Sequence, residues 1–363
     1  MKHRLVILGS SLTALAVARD AHAHGIAPIV MDSKAGVAFK SRWVKPVLLR
    51  NSNADEIMAS VIQSAGAHSA LVATGDDWLR FVVARRAALD QAFGTILHPS
   101  NRILEICLSK SAFSDWCKVN DLPSPLTWSP DIAERPKALK FPLLIRPRET
   151  LHARRDLGLP KAVEVHTEGE LRDWIDRFRG KGVAPLVSES LLSHGLTQYS
   201  VPFARRADAT LSFVTRKVRP GPKNCSEGTF VELATNFEVE RLGRLAAERA
   251  DYYGIGEVEI LHLHDSARSY LIEINARPWL QYALAPATGH DFLGLMLGTE
   301  SAAAPNLRRA RKTWINLRGD IRHRRLGFGP YLRSLARSNV YAVFDLRDPM
   351  PFVHALRKWR AIE

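Results

Sequence analysis

The sequence predicts an α/β protein whose second part is α+β. Three observations support this fold class: a β-α-β pattern opens the chain, amphipathic helices alternate with short apolar runs further on, and a hairpin of alternating polar and apolar residues follows near residue 260. With 363 residues, of which 46% are hydrophobic, the chain is long enough for two or three domains with sizeable cores.

The first part of the chain has the pattern of a parallel sheet. An apolar run at 4–11 leads into a segment with helical spacing that stops at Gly25, and a second apolar run covers 27–32. A further strand is expected at 69–77. Together these elements predict a doubly wound domain over residues 1–105.

Three acids, Asp32, Asp76 and Asp77, fall at strand ends, where doubly wound folds place ligands. They are explained equally well as loop-capping residues. Only Gly9 occurs where a dinucleotide-binding fingerprint has three glycines, so the sequence gives weak support to NAD binding.

Helices and strands also alternate through the next part of the chain. In order, they are a helix within 109–125 that Ser109 caps, a strand at 141–149, a helix at 170–178, a strand at 184–192 and a longer helix at 238–253 that Gly254 stops.

Acidic and amide residues are concentrated on one face of the hairpin that follows. Because successive side chains of a strand point to opposite faces, Glu273, Asn275 and Arg277 share a face, and Glu257 and Glu259 share a face of the preceding strand. On the later strand, Leu271 is expected on the polar face, while Tyr270, Ile272, Ile274 and Ala276 form the apolar one.

Two of these acids are expected to face each other. If the hairpin loop covers 265–267 or 264–268, Glu259 lies directly opposite Glu273, and like charges so paired repel. Either one carboxylate keeps its proton or a cation lies between them. Magnesium suits the second case because it accepts one or two carboxylates together with phosphate oxygens. An exposed hairpin with a salt-bridged outer face is the alternative.

With these residues identified, the chain resembles the ATP-grasp superfamily over roughly residues 1–300. That superfamily includes biotin carboxylase, the D-alanine:D-alanine ligases and the large subunit of carbamoyl-phosphate synthase. The resemblance implies a nucleotide-fold domain without nucleotide at 1–105, then a two-lobed ATP-grasp domain at 106–300 whose small lobe covers about 140–190. It also implies activation of a carboxylate as acyl phosphate and its transfer to an amine.

The hairpin carries the most specific part of the resemblance. The Glu-hydrophobic-Asn-x-Arg strand of the family matches Glu273, Asn275 and Arg277, and its preceding acid matches Glu259. These matches imply that Glu259, Glu273 and Asn275 ligate Mg²⁺, with Mn²⁺ as a substitute, and that Arg277 acts on the phosphates.

The resemblance also implies residues that hold ATP. The two cationic positions of the family match Lys110 in LSKSAF and Arg146 in PLLIRP, where arginine replaces the usual lysine. The acid of the hinge strand matches Glu189, and the backbone near Leu191 is expected to complete the contact with adenine.

Two basic segments match the family less closely. The phosphate-covering loop corresponds to 149–163, which has one glycine and the basic residues His152, Arg154, Arg155 and Lys161. Of these, Lys161 is taken as an ATP-binding residue.

The second segment is TRKVRPGP at 215–222, which together with a loop containing Trp279 resembles little-characterised carboxylate ligases. Arg216, Lys217 and Arg219 are candidates to bind the carboxylate or the transferred phosphoryl group, and Lys217 and Arg277 are taken as catalytic. A solvated basic edge is the alternative for this segment.

Positive charge is concentrated at the end of the chain. The net charge is +14, and residues 301–363 hold 14 Lys and Arg against 4 Asp and Glu. We therefore expect a basic C-terminal extension. Its last helix, at 352–360, has an apolar stripe beside basic residues, so it is expected to cover the core, to lie on anionic lipid or to bind a polyanion.

The resemblance therefore implies an ATP- and Mg²⁺-dependent carboxylate-amine ligase, and the chain is expected to be cytoplasmic. Its expected partners are ATP, a small-molecule carboxylate and an amine, with no specific nucleic acid; peripheral contact with anionic membrane through the tail and a homodimer are further options. No apolar run is long enough to span a bilayer, and three cysteines without a CxxC pair indicate neither a disulfide framework nor a zinc site. The alternative is a polyanion- or membrane-surface-binding protein with a non-catalytic nucleotide-binding core.

Overall fold

A computed structural model describes residues 4–50, 53–149, 157–219, 227–299, 312–322 and 328–360. Within them the chain builds three sheets, one parallel and two mainly antiparallel, with helices between them. This mixed architecture agrees with the predicted α/β and α+β fold class. None of the helices in these ranges combines the length and apolar character needed to cross a bilayer.

The first sheet has five parallel strands in the order β3-β2-β1-β4-β5. The strands are β1 (Arg4–Leu8), β2 (Ala27–Asp32), β3 (Lys45–Leu48), β4 (Gly66–Ala73) and β5 (Phe93–Ile96), and the helices are α1 (Leu12–Ala23), a 3-10 helix (Val37–Lys40), α2 (Ala54–Gln63) and α3 (Asp76–Ala92). Residues 5–8 of the central strand are fully buried, as a sheet covered on both faces requires. The predicted β-α-β opening is confirmed.

A small four-stranded sheet follows, in the order β6-β9-β7-β8. It is preceded by α4 (Asn101–Leu108) and α5 (Lys110–Val119), and its elements are β6 (Thr127–Trp128), β7 (Leu143–Pro147), β8 (Val163–Val165), α6 (Glu168–Arg179) and β9 (Pro185–Glu189). Ser109 caps α5, as predicted, by accepting a hydrogen bond from the backbone N–H of Ala112 at 3.4 Å. This sheet packs on α6 around an apolar cluster of its own.

The large sheet has the order β15-β14-β10-β12-β13-β16-β17, and β11 pairs with β10. Its strands are β10 (Leu196–Arg205), β11 (Thr210–Ser212), β12 (Val214–Arg219), β13 (Phe230–Ala234), β14 (Gly254–Leu263), β15 (Ser269–Asn275), β16 (Thr313–Ile315) and β17 (Val340–Tyr341). The helices of this part are α7 (Phe237–Arg249), α8 (Leu284–Ala287), α9 (Phe292–Leu297), α10 (Leu317–Arg322), α11 (Phe328–Arg337) and α12 (Met350–Arg360). One apolar cluster runs from β1 and β4 into β10 and β14, so the first sheet and the large sheet share a core.

The predicted stop of α7 at Gly254 is wrong. The helix ends at Arg249, and Gly254 is instead the first residue of β14, with φ at +118°. A Cβ atom there would lie 2.5 Å from the carbonyl oxygen of Leu97. Glycine is therefore needed because two backbones approach closely at this point, and not because a helix ends.

The described part of the basic C-terminal region is integrated into the fold. β16 pairs with β13 and β17 pairs with β16, which extends the large sheet by two strands. Asp320 is 1% exposed and accepts two hydrogen bonds from Arg219, at 2.8 and 2.9 Å. The division of the chain at residues 105 and 300 stays a prediction.

Candidate nucleotide and metal site

The predicted cross-strand pair of glutamates is present in the structure. In the hairpin of β14 and β15, Glu259 lies opposite Glu273 and Glu257 lies opposite Asn275. Near the turn, however, the pairing is one residue out of the predicted register, because His262 lies opposite Ser269.

A β-bulge reconciles the two registers. The pairing shifts between Glu259 and Ile260, so that Ile260 faces Leu271 and Ile272 is the extra residue. The prediction that Leu271 shares the polar face is therefore wrong: Leu271 is fully buried in the core, and Ile272 is half-buried. Alternation alone could not reveal this, because one extra residue reverses the face of every residue before it.

The pKa values of the acids on this face are shifted in opposite directions. Burial, followed by the charge of Glu259, raises the pKa of Glu257 to about 8. Burial and the charge of Glu273 likewise raise the pKa of Glu259. Asn275 joins this pair, since its Nδ2 donates to Glu257 Oε2 at 3.0 Å and to Glu259 Oε1 at 3.3 Å.

Glu273 differs because cations surround it. Burial raises its pKa, but the positive charges of Lys110, Lys161 and Arg146 outweigh burial, so the net pKa is below the ordinary value. Burial, together with the charges of Arg146 and Lys161, in turn lowers the pKa of Lys110, and Glu273 partly opposes that effect. The three cations that the sequence assigns to ATP binding are thus brought together beside Glu273.

Lys110, Arg146 and Lys161 lie on or beside α5, β7 and β8. Lys110 is the first residue of α5, and its backbone N–H donates to the carbonyl of Arg148 at 3.2 Å. Arg146 lies in β7, two residues earlier, and Lys161 precedes β8. The small sheet and α5 thereby supply positive charge, while the large sheet supplies the acids. His152, Arg154 and Arg155 lie outside the described residues.

Lys217 reaches the acidic face through an amide. Its Nζ donates to Gln198 Oε1 at 3.0 Å, and Gln198 Nε2 donates to Glu259 Oε2 at 2.9 Å. Sequence reasoning missed Gln198, because a single amide in the alternating strand β10 carries no distinguishing pattern. Arg216 and Arg219, which flank Lys217 in β12, pair with other residues.

Arg216 pairs with Glu232 at 2.9 Å. The guanidinium of Arg219 donates to both carboxylate oxygens of Asp320 and to Ser334 Oγ, and it lies 4.2 Å from the ring centroid of Phe230. Of the three basic candidates in this segment, Lys217 alone has a contact to the acidic face in the described residues.

Arg277 is tied to the first residue of α3, beside the parallel sheet. Its Nε donates to Asp76 Oδ1 at 2.6 Å, and Asp76 is the first residue of α3. Burial lowers the pKa of Arg277, but the charge and hydrogen bond of Asp76 outweigh it and raise the net pKa. Arg277 is therefore protonated, and its position is coupled to the carboxyl end of the parallel sheet.

His98 fixes the strand segment beside Arg277. It is fully buried, its Nε2 accepts from the backbone N–H of Ala73 at 2.7 Å, and its Nδ1 lies 3.0 Å from the carbonyl oxygen of Ala276. This geometry requires the neutral tautomer with its proton on Nδ1. Burial accordingly lowers the pKa of His98 to about 4. Sequence reasoning did not find this residue, since no local pattern marks it.

Glu189 and Leu191, the two residues expected beside adenine, each make a hydrogen bond within the protein. Glu189 ends β9, and its Oε1 accepts from the backbone N–H of Leu126 at 2.9 Å. Leu191 is buried, and its carbonyl accepts from His194 N–H at 3.2 Å. Their role toward adenine stays a prediction.

Trp279 lies in the apolar core. It is 1% exposed and packs against Phe213, Tyr282 and Phe292 in an apolar cluster.

The donor set fits a hard divalent cation. Glu259 and Glu273 face each other, and burial, followed by the charge of Glu273, raises the pKa of Glu259, so a cation between the two carboxylates would favour the charged form of Glu259. Carboxylates and an amide oxygen are the ligands that Mg²⁺ prefers. Across the described parts of the chain, no group of three or more His, Cys, Asp or Glu is already arranged to hold a metal. The fit therefore rests on two acids and Asn275.

Solved structures share this architecture. Carboxyaminoimidazole ribonucleotide synthase from Aspergillus clavatus, solved with ATP, aligns with a TM-score of 0.67 and 13% identity over 87% of this chain and 82% of that chain. Biotin carboxylase from Campylobacter jejuni aligns with a TM-score of 0.65 and 14% identity over 86% and 74%. L-amino acid ligase from Bacillus licheniformis aligns with a TM-score of 0.61 and 15% identity over 82% and 73%.

The chain has the ATP-grasp fold. Pyruvate carboxylase from Rhizobium etli also matches, with a TM-score of 0.61 and 16% identity, and the chain spans 29% of that longer protein. No family model matches the chain, and no curated protein matches it in sequence. The assignment of the small sheet to a small lobe and of the large sheet to a large lobe stays a prediction.

Proposed function

We propose that this ATP-grasp chain is an ATP- and Mg²⁺-dependent ligase that joins a carboxylate to an amine and releases ADP and phosphate. One observation carries the proposal: Glu273 faces Glu259 across two strands and is surrounded by Lys110, Arg146 and Lys161. The printed names of the similar structures, which include a biotin carboxylase and an amino acid ligase, support this class of reaction.

The charge arrangement suits phosphoryl transfer, which requires neutralisation and alignment more than covalent help from the protein. Lys110, Arg146 and Lys161 would bind the phosphates of ATP from the small-lobe side. Glu259, Glu273 and Asn275 would hold Mg²⁺ from the large-lobe side. When bound there, Mg²⁺, or Mn²⁺ in its place, supplies further neutralisation of phosphate charge.

Lys217 and Arg277 would act on the reacting groups. In the first step a carboxylate oxygen attacks the γ-phosphorus, the bond to ADP breaks and an acyl phosphate forms. In the second step the amine attacks the acyl carbon, phosphate leaves and the amine loses a proton. Lys217 and Arg277 would stabilise the negative charge that these steps develop, because both are cations placed beside the acidic face.

Glu189 and the backbone near Leu191 would complete the site by holding adenine at the hinge between the lobes. The hydrogen bond from Leu126 to Glu189 gives this carboxylate a fixed position. The proposed donor and acceptor are small molecules, and their recognition would come from loops around the site.

The direct test is ADP release from ATP and Mg²⁺ in the presence of paired pools of carboxylic acids and amines. We expect release that requires one member of each pool. Glu273→Ala and Asn275→Ala should abolish it while the thermal midpoint is kept. Glu238→Ala, at a 72% exposed position on α7, is the matched control. Full activity in both site variants would remove the metal assignment.

The same assay separates the alternative, a nucleotide-binding core without turnover whose basic surface binds a polyanion or a membrane. That protein would bind an ATP analogue but release no ADP with any pool. A homodimer stays a prediction.

A further inference from the structure

Two basic segments far apart in the sequence lie side by side on the surface. Residues 33–50 hold five Lys and Arg and no acid, and the C-terminal region is strongly basic. Asp348, which is fully buried, accepts from Arg19 Nε at 3.0 Å and from the backbone N–H of Arg42 at 3.1 Å. Removing one partner of such a buried pair is costly, so the contact holds the two segments in a fixed arrangement.

Large apolar side chains are exposed at this junction. Leu346 is 83% exposed and Met350 is 51% exposed, and both flank the buried Asp348 in sequence. Phe344 and Leu356 are also exposed, and the Phe344 ring packs on Phe352 at a centroid distance of 5.1 Å. Clustered exposed apolar residues beside charged ones mark a surface that contacts a partner.

The charge around these apolar residues is positive. Exposed bases come from both segments, namely Lys34, Lys40, Arg42, Lys45, Arg50, Arg347 and Arg357. Within residues 33–50 and 344–357 the acids are Asp345, which lies 3.7 Å from Arg347, and the buried Asp348, which pairs with Arg19. Trp43 adds an aromatic ring that stacks on His22, with Arg42 above it.

We propose that this surface, the basic-apolar patch formed by 40–45 and 344–357, binds the surface of an anionic lipid bilayer. Lys and Arg are attracted to anionic headgroups, while Leu346 and Met350 enter the boundary between headgroups and acyl chains. Nucleic acid explains the bases but gives Leu346 and Met350 no partner, so lipid fits both features. The predicted tail contact thereby becomes a patch to which the first domain contributes as much as the tail.

Flotation of the full chain with lipid vesicles tests the proposal. We expect binding to phosphatidylcholine vesicles in which about one lipid in three is phosphatidylserine. Binding should be at least about tenfold weaker with phosphatidylcholine alone, and it should weaken as salt rises, because the attraction is screened. Equal binding to both vesicles would overturn the electrostatic part of the proposal, and no binding to either would overturn it entirely.

Two variants separate the two parts of the patch. Arg42→Gln/Lys45→Gln/Arg347→Gln should weaken binding about 100-fold, since each basic residue near the bilayer contributes about fivefold. Leu346→Ser/Met350→Ser should weaken it about tenfold. Lys118→Gln/Arg172→Gln/Arg241→Gln removes the same charge from exposed positions elsewhere and should bind as the parent does.

Parental binding by both patch variants, or equal losses in the control, would contradict the assignment. If the patch variants instead lose binding to heparin while the parent ignores vesicles, the partner is a soluble polyanion and the lipid proposal is wrong. None of these residues contributes to the ATP site, so the proposed ligase activity succeeds or fails independently.

Discussion

Replacement of His98 tests whether one buried imidazole joins the parallel sheet to the candidate site. The folded protein keeps His98 neutral, because its pKa falls to about 4 from the ordinary 6.5. The unfolded chain binds a proton there below about pH 6.5. Between these values the unfolded state holds more protons than the folded state, so stability is lost as the pH falls.

The magnitude follows from the two pKa values. By pH 4 the titration of His98 should have removed about 3 kcal/mol of the free energy of unfolding relative to pH 7. His98→Asn and His98→Gln cannot titrate. Each should be less stable than the parent at pH 7, by about 1–3 kcal/mol for each unsatisfied backbone group. The difference in the free energy of unfolding between parent and variant should then narrow by about 3 kcal/mol between pH 7 and pH 4, because only the parent loses stability through His98.

Urea unfolding at four values between pH 7 and pH 4 measures this difference. Buried acids that titrate in the same range, such as Asp20, whose pKa burial raises to about 6, contribute equally to parent and variant and cancel. His166→Gln, at an exposed position, is the matched control. A difference between parent and variant that stays constant with pH would refute the reasoning.

The two variants also separate the two hydrogen bonds that His98 makes. The amide of asparagine can replace Nδ1 as the donor to Ala276, whereas glutamine reaches toward Ala73 instead. His98→Asn should therefore retain more of the proposed ATP turnover than His98→Gln, because Ala276 lies between Asn275 and Arg277.

The remaining predictions concern two arginines. Arg146→Lys should keep partial ADP release because the charge at Glu273 is retained, and complete loss would show that the planar guanidinium is required. Asp320→Asn should lower the free energy of unfolding by about 3–5 kcal/mol in urea unfolding, because it leaves the largely buried Arg219 without its carboxylate. A cost below about 1 kcal/mol would contradict a structural role for that pair.

The sequence predicts the parts of this protein that depend on local pattern. The β-α-β opening and the Ser109 cap follow from periodicity and capping chemistry, and the hairpin with acids on one face follows from alternation, although the pairing of Glu259 with Glu273 also depends on the bulge. Each of these depends on residues close in the sequence.

Features set by distant contacts could not be predicted in the same way. Gly254 lies where a helix stop is expected, but the carbonyl of Leu97, far away in sequence, explains why a side chain does not fit. The pairing of Arg277 with Asp76 and the burial of Trp279 likewise depend on how the domains pack. The bulge at Ile272 changes one face of a strand without leaving a signal in its composition.

The central claim is that Glu259 and Glu273 tolerate each other because a divalent cation bound to ATP lies between them. A crystal structure with a non-hydrolysable ATP analogue and Mg²⁺ tests it most directly. We expect carboxylate oxygens of both residues at about 2.0–2.1 Å from the ion, with the triphosphate next to Lys110 and Arg146. A triphosphate bound elsewhere, with both carboxylates turned away from any metal, would contradict the account.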